Sequence, residues 1–413
     1  MKRERPINAD LPEPKAPERE PAAKAEPKAP PPAPKPPAER KSKPKRPAKP
    51  KRQPRPLTPF LLAGLVLVAV AFILAAVLGG TGGSDEGVEK AAPTPAAAAG
   101  SASAGSGSAS VEELGYPSFA TNNTTRIGSA DPATTAAAVA LAVYPSRTAS
   151  QRPEAVTLVG EDDWAGAIAA SVLMAEPVRA PVLISGPEVT SEALAALQPQ
   201  QTRRISGSSA AKEAAEIAAL RDRLFGSPPS HIVVAPSSHP DLAMPAAAWA
   251  ARSGDPVLFA GTNDLPAATA AALRRHTKVP VYVLGPSSAI SSEVLRRIGG
   301  IAKRVKRVSG EDPVANAVAF ARYGDGGFGW NVNDPGHGFI LARGDSPLDA
   351  GATAALSGSG TWGPLLLTDS ATKLPAELRS YFLDVKPGYT DNPTRAFYNH
   401  VWVIGDQEAI DLN

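Results

Sequence analysis

The chain has 413 residues, is 43% hydrophobic but only 5% aromatic, and contains no cysteine. That excludes disulfides, thiolate metal sites, cysteine nucleophiles and a lipid-modified N-terminal cysteine. Its net charge of +3 conceals a split, because residues 1–56 hold 17 Lys or Arg against 7 Asp or Glu and the remainder holds 26 against 33; the basic character belongs to the tail, and the rest is long and apolar enough for two or three domains.

Residues 1–56 also carry 17 of the 44 prolines and almost no apolar side chains. Such a segment cannot bury enough surface to offset ordering entropy and reads as a disordered cytoplasmic tail of polyproline character. Its densest positive run, residues 41–55, suits a topology signal or contact with anionic inner-leaflet lipid. No aromatic residue interleaves these lysines, so no nucleic-acid partner is expected. Within 57–78, the uncharged stretch from Phe60 to Leu78 is long enough to cross a bilayer core of about 30 Å as a helix. The basic flank keeps the N-terminus cytoplasmic and sends the C-terminal part to the cell-wall side. A preceding region this long favours an uncleaved single-pass signal anchor over a cleaved signal peptide. Residues 79–125, rich in Gly, Ser, Ala and Thr, read as a flexible linker; the Asn122-Asn123-Thr124-Thr125 sequence within it is a polar turn.

From here three segments repeat one another: 155–186, 231–261 and 338–369. Each has an apolar run, a polar turn, an Ala-rich stretch of helical length and a second apolar run opened by proline. Continuous apolar runs mark strands buried on both faces, and the helix between them is the crossover that parallel neighbours need, so the unit is βαβ. The sharpest match lies in the proline-led strands: Pro181, Val182, Leu183 and Ile184; Pro256, Val257, Leu258 and Phe259; Pro364, Leu365, Leu366 and Leu367. Proline at a strand's first residue presets the backbone where no ladder donor is needed. An opener recurs as Arg126-Ile127-Gly128, Arg204-Ile205-Ser206-Gly207 and Arg307-Val308-Ser309-Gly310. Two units close with a further strand and turn, VYVLGPSSAI and VWVIGDQEAI. The units run 126–203, 204–306 and 307–413. Unit one has no evident closing strand, which is either lost or replaced by a neighbouring segment.

These motifs, in the same order three times, resemble the bacterial cell wall binding repeat 2 family. The resemblance covers about three quarters of the chain, from Thr125 onward. It implies an α/β fold of three tandem Rossmann-like or Toprim-like parallel-sheet modules in a pseudo-three-fold arrangement. It also implies non-covalent attachment to an anionic wall polymer or peptidoglycan-associated glycan, for which the proline-led strands are needed. The sequence departs from the family at a second arginine expected downstream of each opener, where 129–136, 208–215 and 311–317 have none.

Guanidinium groups grip phosphates or carboxylates through paired hydrogen bonds, so Arg126, Arg204 and Arg307, once per unit, are candidate polymer-binding residues together with Arg343. The alternative is that each opener arginine pairs with a helix-leading carboxylate inside its own unit. The cluster Arg296, Arg297, Lys303, Arg304, Lys306 and Arg307 adds local positive charge. Glu161, Asp162 and Asp163 lie where ligands of parallel sheets gather, but acids there also cap helices, and Asp241 and Asp349 are read the same way. Gly324, Gly326 and Gly329 have dinucleotide-loop spacing in the wrong context, ending a helix and preceding a strand. His231, His239, His276, His337 and His400 form no metal-ligand spacing, and no nucleophile elbow occurs. The sequence therefore predicts a membrane-anchored wall-binding protein without catalytic residues, metal or cofactor. The competing readings are an enzyme acting on wall glycan through Asp162 and Asp163, and an envelope scaffold for other proteins.

Overall fold

The apolar runs of the three repeated segments form strands whose central residues are buried. The structure, a computed structural model, describes residues 119–120, 123–186, 188–359, 363–388 and 398–411. These belong to one compact unit of the chain, residues 102–413. The basic tail, the apolar stretch 60–78 and most of the linker lie outside the described residues. Among the described residues no helix is long and apolar enough to cross a membrane.

The described residues form three sheets. In chain order the strands are β1 (Phe119–Ala120), β2 (Thr124–Ile127), β3 (Ala155–Val159), β4 (Val182–Ile184), β5 (Gln201–Arg204), β6 (Ile232–Pro236), β7 (Val257–Ala260), β8 (Val281–Leu284), β9 (Val305–Val308), β10 (Gly338–Arg343), β11 (Leu365–Thr368) and β12 (His400–Ile404). Their orders are β4-β3-β5, β7-β6-β8-β9 and β1-β2-β12-β10-β11. All pairings are parallel except β1 with β2. The proline-led strands β4, β7 and β11 each form a sheet edge. Their prolines hold one register: Pro181, Pro256 and Pro364 accept at 2.9, 3.0 and 3.0 Å from the N–H groups of Thr157, Val233 and Ile340. Proline fits there because only its carbonyl is asked for.

The openers do not join the sheets of the units they begin. Strand β2 pairs with β12 of unit three, β5 with β3 of unit one, and β9 with β8 of unit two. The helices that follow them are α1 (Pro132–Val143), α4 (Ala210–Phe225) and α9 (Pro313–Arg322). These turn back and cover β4, β7 and β11, the proline-led edges of their own units. Each opener thus ties two units together, and the first ties to the last. In unit one no closing strand exists among the described residues, and β5 takes the place beside β3 that β8 and β12 hold beside β6 and β10.

The crossover helices are α2 (Trp164–Ala170), the pair α5 (Pro240–Ala243) and α6 (Pro245–Ser253), and α10 (Pro347–Gly358). They pack against one another between the sheets. Their alanines permit close approach, and two glycines of α10 carry it furthest. A Cβ on Gly351 would stand 2.6 Å from the Ala167 main chain, and one on Gly358 2.9 Å from the Ala251 carbonyl. The remaining helices are α3 (Glu188–Leu197), α7 (Ala267–Arg275), α8 (Ser292–Gly299) and α11 (Ala376–Asp384).

The Gly-rich insertion after α9 is a structural clamp. Gly326, Gly327 and Gly329 have φ of +59°, +105° and +92°, a region open to glycine. The turn seats the fully buried Phe328 flat on Tyr282, with centroids 3.6 Å apart. Asp325 accepts from the Tyr282 hydroxyl at 2.7 Å and meets Lys306 Nζ at 2.8 Å, which holds its carboxyl down at about 2.

Candidate functional site

The opener arginines are the residues whose placement separates the three units most clearly. Arg126 is 5% exposed. Its Nη1 donates to the Gly405 and Asp406 carbonyls at 2.9 and 2.5 Å, and its Nη2 to the Ile410 carbonyl. Arg307 repeats this on the turn of unit two, donating to Gly285 and Ile290 carbonyls at 2.5 and 2.6 Å. The registers agree, since Arg126 sits opposite Val403 and Arg307 opposite Val283. Both turns start at a glycine with positive φ, +102° at Gly285 and +93° at Gly405. Burial lowers the pKa of both guanidiniums, and arginine keeps its proton regardless. The partners are thus main-chain carbonyls of another unit's closing turn, unit three for Arg126 and unit two for Arg307, not carboxylates of the arginine's own unit. Unit one has no such turn, and Arg204 is exposed with no described side-chain partner.

Arg343 is paired in another way. Its Nε and Nη2 meet the two Asp345 carboxylate oxygens at 3.1 and 2.6 Å, which raises the pKa of the arginine and lowers that of the aspartate. The pair lines a cleft of about 620 Å³ at the C-terminal ends of β10 and β11, with Asp241, Asp312, Asp369 and Glu377. That surplus of acid does not suit a polyanion. The proline-led residues Val182–Ile184, Val257–Phe259 and Leu365–Leu367 are all 1% exposed or less, so they shape the sheets from inside.

The carboxylates divide by role. Asp163 caps α2, accepting from Gly166 N at 2.8 Å, while Glu161 and Asp162 face solvent beside it. Asp349 is no cap: the N-cap of α10 is Ser346, and Asp349 is buried in the first turn with Oδ1 unpartnered. Burial and the nearby Asp131 and Asp345 push it up to about 7. Glu213, nine residues after Arg204 as Thr135 follows Arg126 and Asn316 follows Arg307, is also buried. It lies against Gly166, where a Cβ would come within 2.8 Å of its Oε1. Burial, then Asp163 and Glu216, push its carboxyl up to about 8. Spacing from the opener was the available signal for this position. Among the described residues no group of His, Asp or Glu is placed to hold a metal ion.

Positive charge gathers on unit two. Residues 271–308 hold nine Lys or Arg and one acid, Glu293. Arg304 and Lys306 share Asp325, Arg296 pairs with Glu293, and Arg297 reaches Asp264 at 3.9 Å. Arg274, Lys278 and Lys303 are exposed without a described side-chain partner. The Lys303 N–H donates to the Thr277 carbonyl at 2.9 Å, which brings the loops entering β8 and β9 together. The resulting cationic rim lies at the N-terminal ends of these strands.

Parallel-sheet α/β units that exchange their opening strands define a multi-module α/β architecture. Residues 204–295 match the sequence model of Cell wall binding domain 2 (CWB2). Among solved structures, Cwp6 from Clostridium difficile is similar at a TM-score of 0.56 and 19% identity, covering 70% of this chain and 46% of that one. Cwp8 from Clostridium difficile is similar at 0.53 and 20%, covering 70% and 50%. This chain therefore spans about half the length of each, and at such identity the likeness concerns the fold alone. No curated protein matches the chain.

Proposed function

We propose that this chain binds an anionic polymer of the cell wall through three modules, 126–203, 204–306 and 307–413, set about a pseudo-three-fold axis and held at the membrane by residues 57–78. The observation that carries the reading is the cationic rim, which begins inside the matched residues with the exposed Arg274 and Lys278 and continues beyond them with the exposed Lys303 and Arg304. A line of exposed cations on an otherwise acidic region suits a chain of repeated phosphates or carboxylates, by guanidinium forks and by field. Of the four arginines singled out by sequence, Arg204 is the one whose guanidinium is open to a ligand. The three-fold arrangement is supported by the mutual packing of the crossover helices and by the passing of each opener to another unit's sheet. In this reading residues 1–56 stay cytoplasmic, where the basic run meets anionic lipid; the linker expected over 79–125 is shorter than that, and Thr124 and Thr125 form no turn, because Phe119–Ala120 and Thr124–Ile127 stand as strands in the five-stranded sheet.

Full chain mixed with purified walls at low salt sediments with them. Retention falls as salt approaches about 1 M, where the Debye length shrinks to about 3 Å. The double variant Lys278→Glu, Lys303→Glu lowers retention at unchanged thermal midpoint. Loss of wall sedimentation by the unaltered chain at low salt overturns the proposal.

A further inference from the structure

We infer that the cavity at the N-terminal rim of the five-stranded sheet is a subsite for an uncharged pyranose ring of a glycan. The inference rests on the wall-binding reading but concerns a site remote in chemistry from the cationic rim. The cavity, about 530 Å³, lies between the C-terminal ends of α1 and α10, inside the span of about 300–1,000 Å³ usual for small-ligand sites. Tyr398, Trp402, His337, His400 and Ser359 supply its chemistry, and among the described residues no Lys, Arg, Asp or Glu lines it.

Its aromatics are unlike most others in the chain. Tyr282, Phe320 and Phe328 are buried in one ring cluster, and Phe339 and Tyr381 in another. Tyr398 is 52% exposed, and neither its ring nor its hydroxyl has a described partner. Trp402 is half-buried, and its indole N–H meets no described acceptor. The His400 ring stands against the indole at 5.6 Å and 62°, and its Nε2 lies 2.9 Å from Thr125 Oγ1. The entrance is fixed in advance. Asn399, between Tyr398 and His400, accepts from the N–H groups of Gly336 and His337 at 2.9 and 3.1 Å and donates to the Val385 carbonyl at 2.8 Å.

A pyranose ring has a face of weakly positive C–H bonds and a rim of hydroxyls. The C–H face suits the negative π-face of Tyr or Trp, and the rim suits convergent donors and acceptors such as the indole N–H and the tyrosine and serine hydroxyls. An anionic group would find no cation among the described residues that line this cavity, and Asp334, 3.1 Å from His337 Nε2, adds negative charge nearby. The site therefore takes the neutral part of a wall glycan while the cationic rim takes the charged part.

The test is titration of the full chain with tetramers of N-acetylglucosamine and of glucose, followed by indole fluorescence. At least one tetramer binds, with an affinity unchanged between low and high salt. Tyr398→Ala and Trp402→Ala each weaken it at least tenfold, while Lys278→Glu, Lys303→Glu leaves it intact. Because Tyr398 is exposed, Tyr398→Ala keeps its thermal midpoint, and a loss in that variant is a loss of contact. Binding of neither tetramer, binding indifferent to both variants, or binding of a wall stem peptide in place of the sugars overturns the inference. Failure of the chain to sediment with walls contradicts the wall-binding proposal and leaves the tetramer titration to decide this one.

Discussion

Arg126 and Arg307 are held by the fold itself, whereas the equivalent Arg204 is not, and a single substitution should separate the two conditions. Arg307→Ala removes two charge-assisted bonds and leaves the Gly285 and Ile290 carbonyls without that donor, a loss of about 2–4 kcal/mol. Arg204→Ala should leave the unfolding midpoint in denaturant unchanged and lower wall affinity only; equal destabilisation by both would contradict this assignment. The sequence made the three arginines legible as a set but not their partners, because the carbonyls that clasp Arg126 lie 279 to 284 residues away. The buried carboxyls add a pH dependence. Glu213 and Asp349 titrate near 8 and 7 in the folded protein, against about 4 in an unfolded chain. Between those limits the native state binds more protons, so stability is greatest at the acid end and falls as pH rises from about 4.5 to about 8. The thermal midpoint should drop across that window, and Glu213→Gln should flatten the drop. A midpoint that rises with pH over the same range would contradict the burial of these groups.

At the scale of elements, the apolar runs were legible because strands sealed on both faces need unbroken hydrophobic sequence, and the proline-led edges because proline tolerates few other strand positions. Which sheet an opener joins was not legible, since strand pairing is decided by distant partners. The Ala-rich helices were visible as helices, but their close packing depends on where the few glycines fall. Gly351→Ala gains about 1 kcal/mol of helix propensity. It also puts a Cβ within 2.6 Å of the Ala167 main chain, and overpacking of this kind costs about 1–3 kcal/mol. Gly299→Ala, in α8 with nothing within 4 Å, receives the same propensity gain without the clash. Thermal melts should show the first destabilised and the second neutral or stabilised; the reverse order would mean that α10 and α2 do not meet as described.

At the scale of the whole molecule, charge is divided along the chain: a basic tail, an acidic folded region, and within that region one cationic rim. Composition revealed the first two, and the positive cluster at 296–307 was legible in sequence, while its meeting with Arg274 and Lys278 became apparent once the loops before β8 and β9 were brought together by the Lys303 to Thr277 hydrogen bond. The aromatic cavity was invisible in sequence because its residues are scattered across α1, α10, β10 and β12, with no spacing to mark them. Field attraction gives a binding surface reach and on-rate, and local contacts give it selectivity. The most direct measurement is retention of the full chain on two preparations of the same walls, one intact and one stripped of its anionic polymer by acid extraction. Binding to intact walls at low salt, with most of it lost on the extracted ones, is the predicted result. Equal retention on both would show that the wall's negative charge is not what this protein holds.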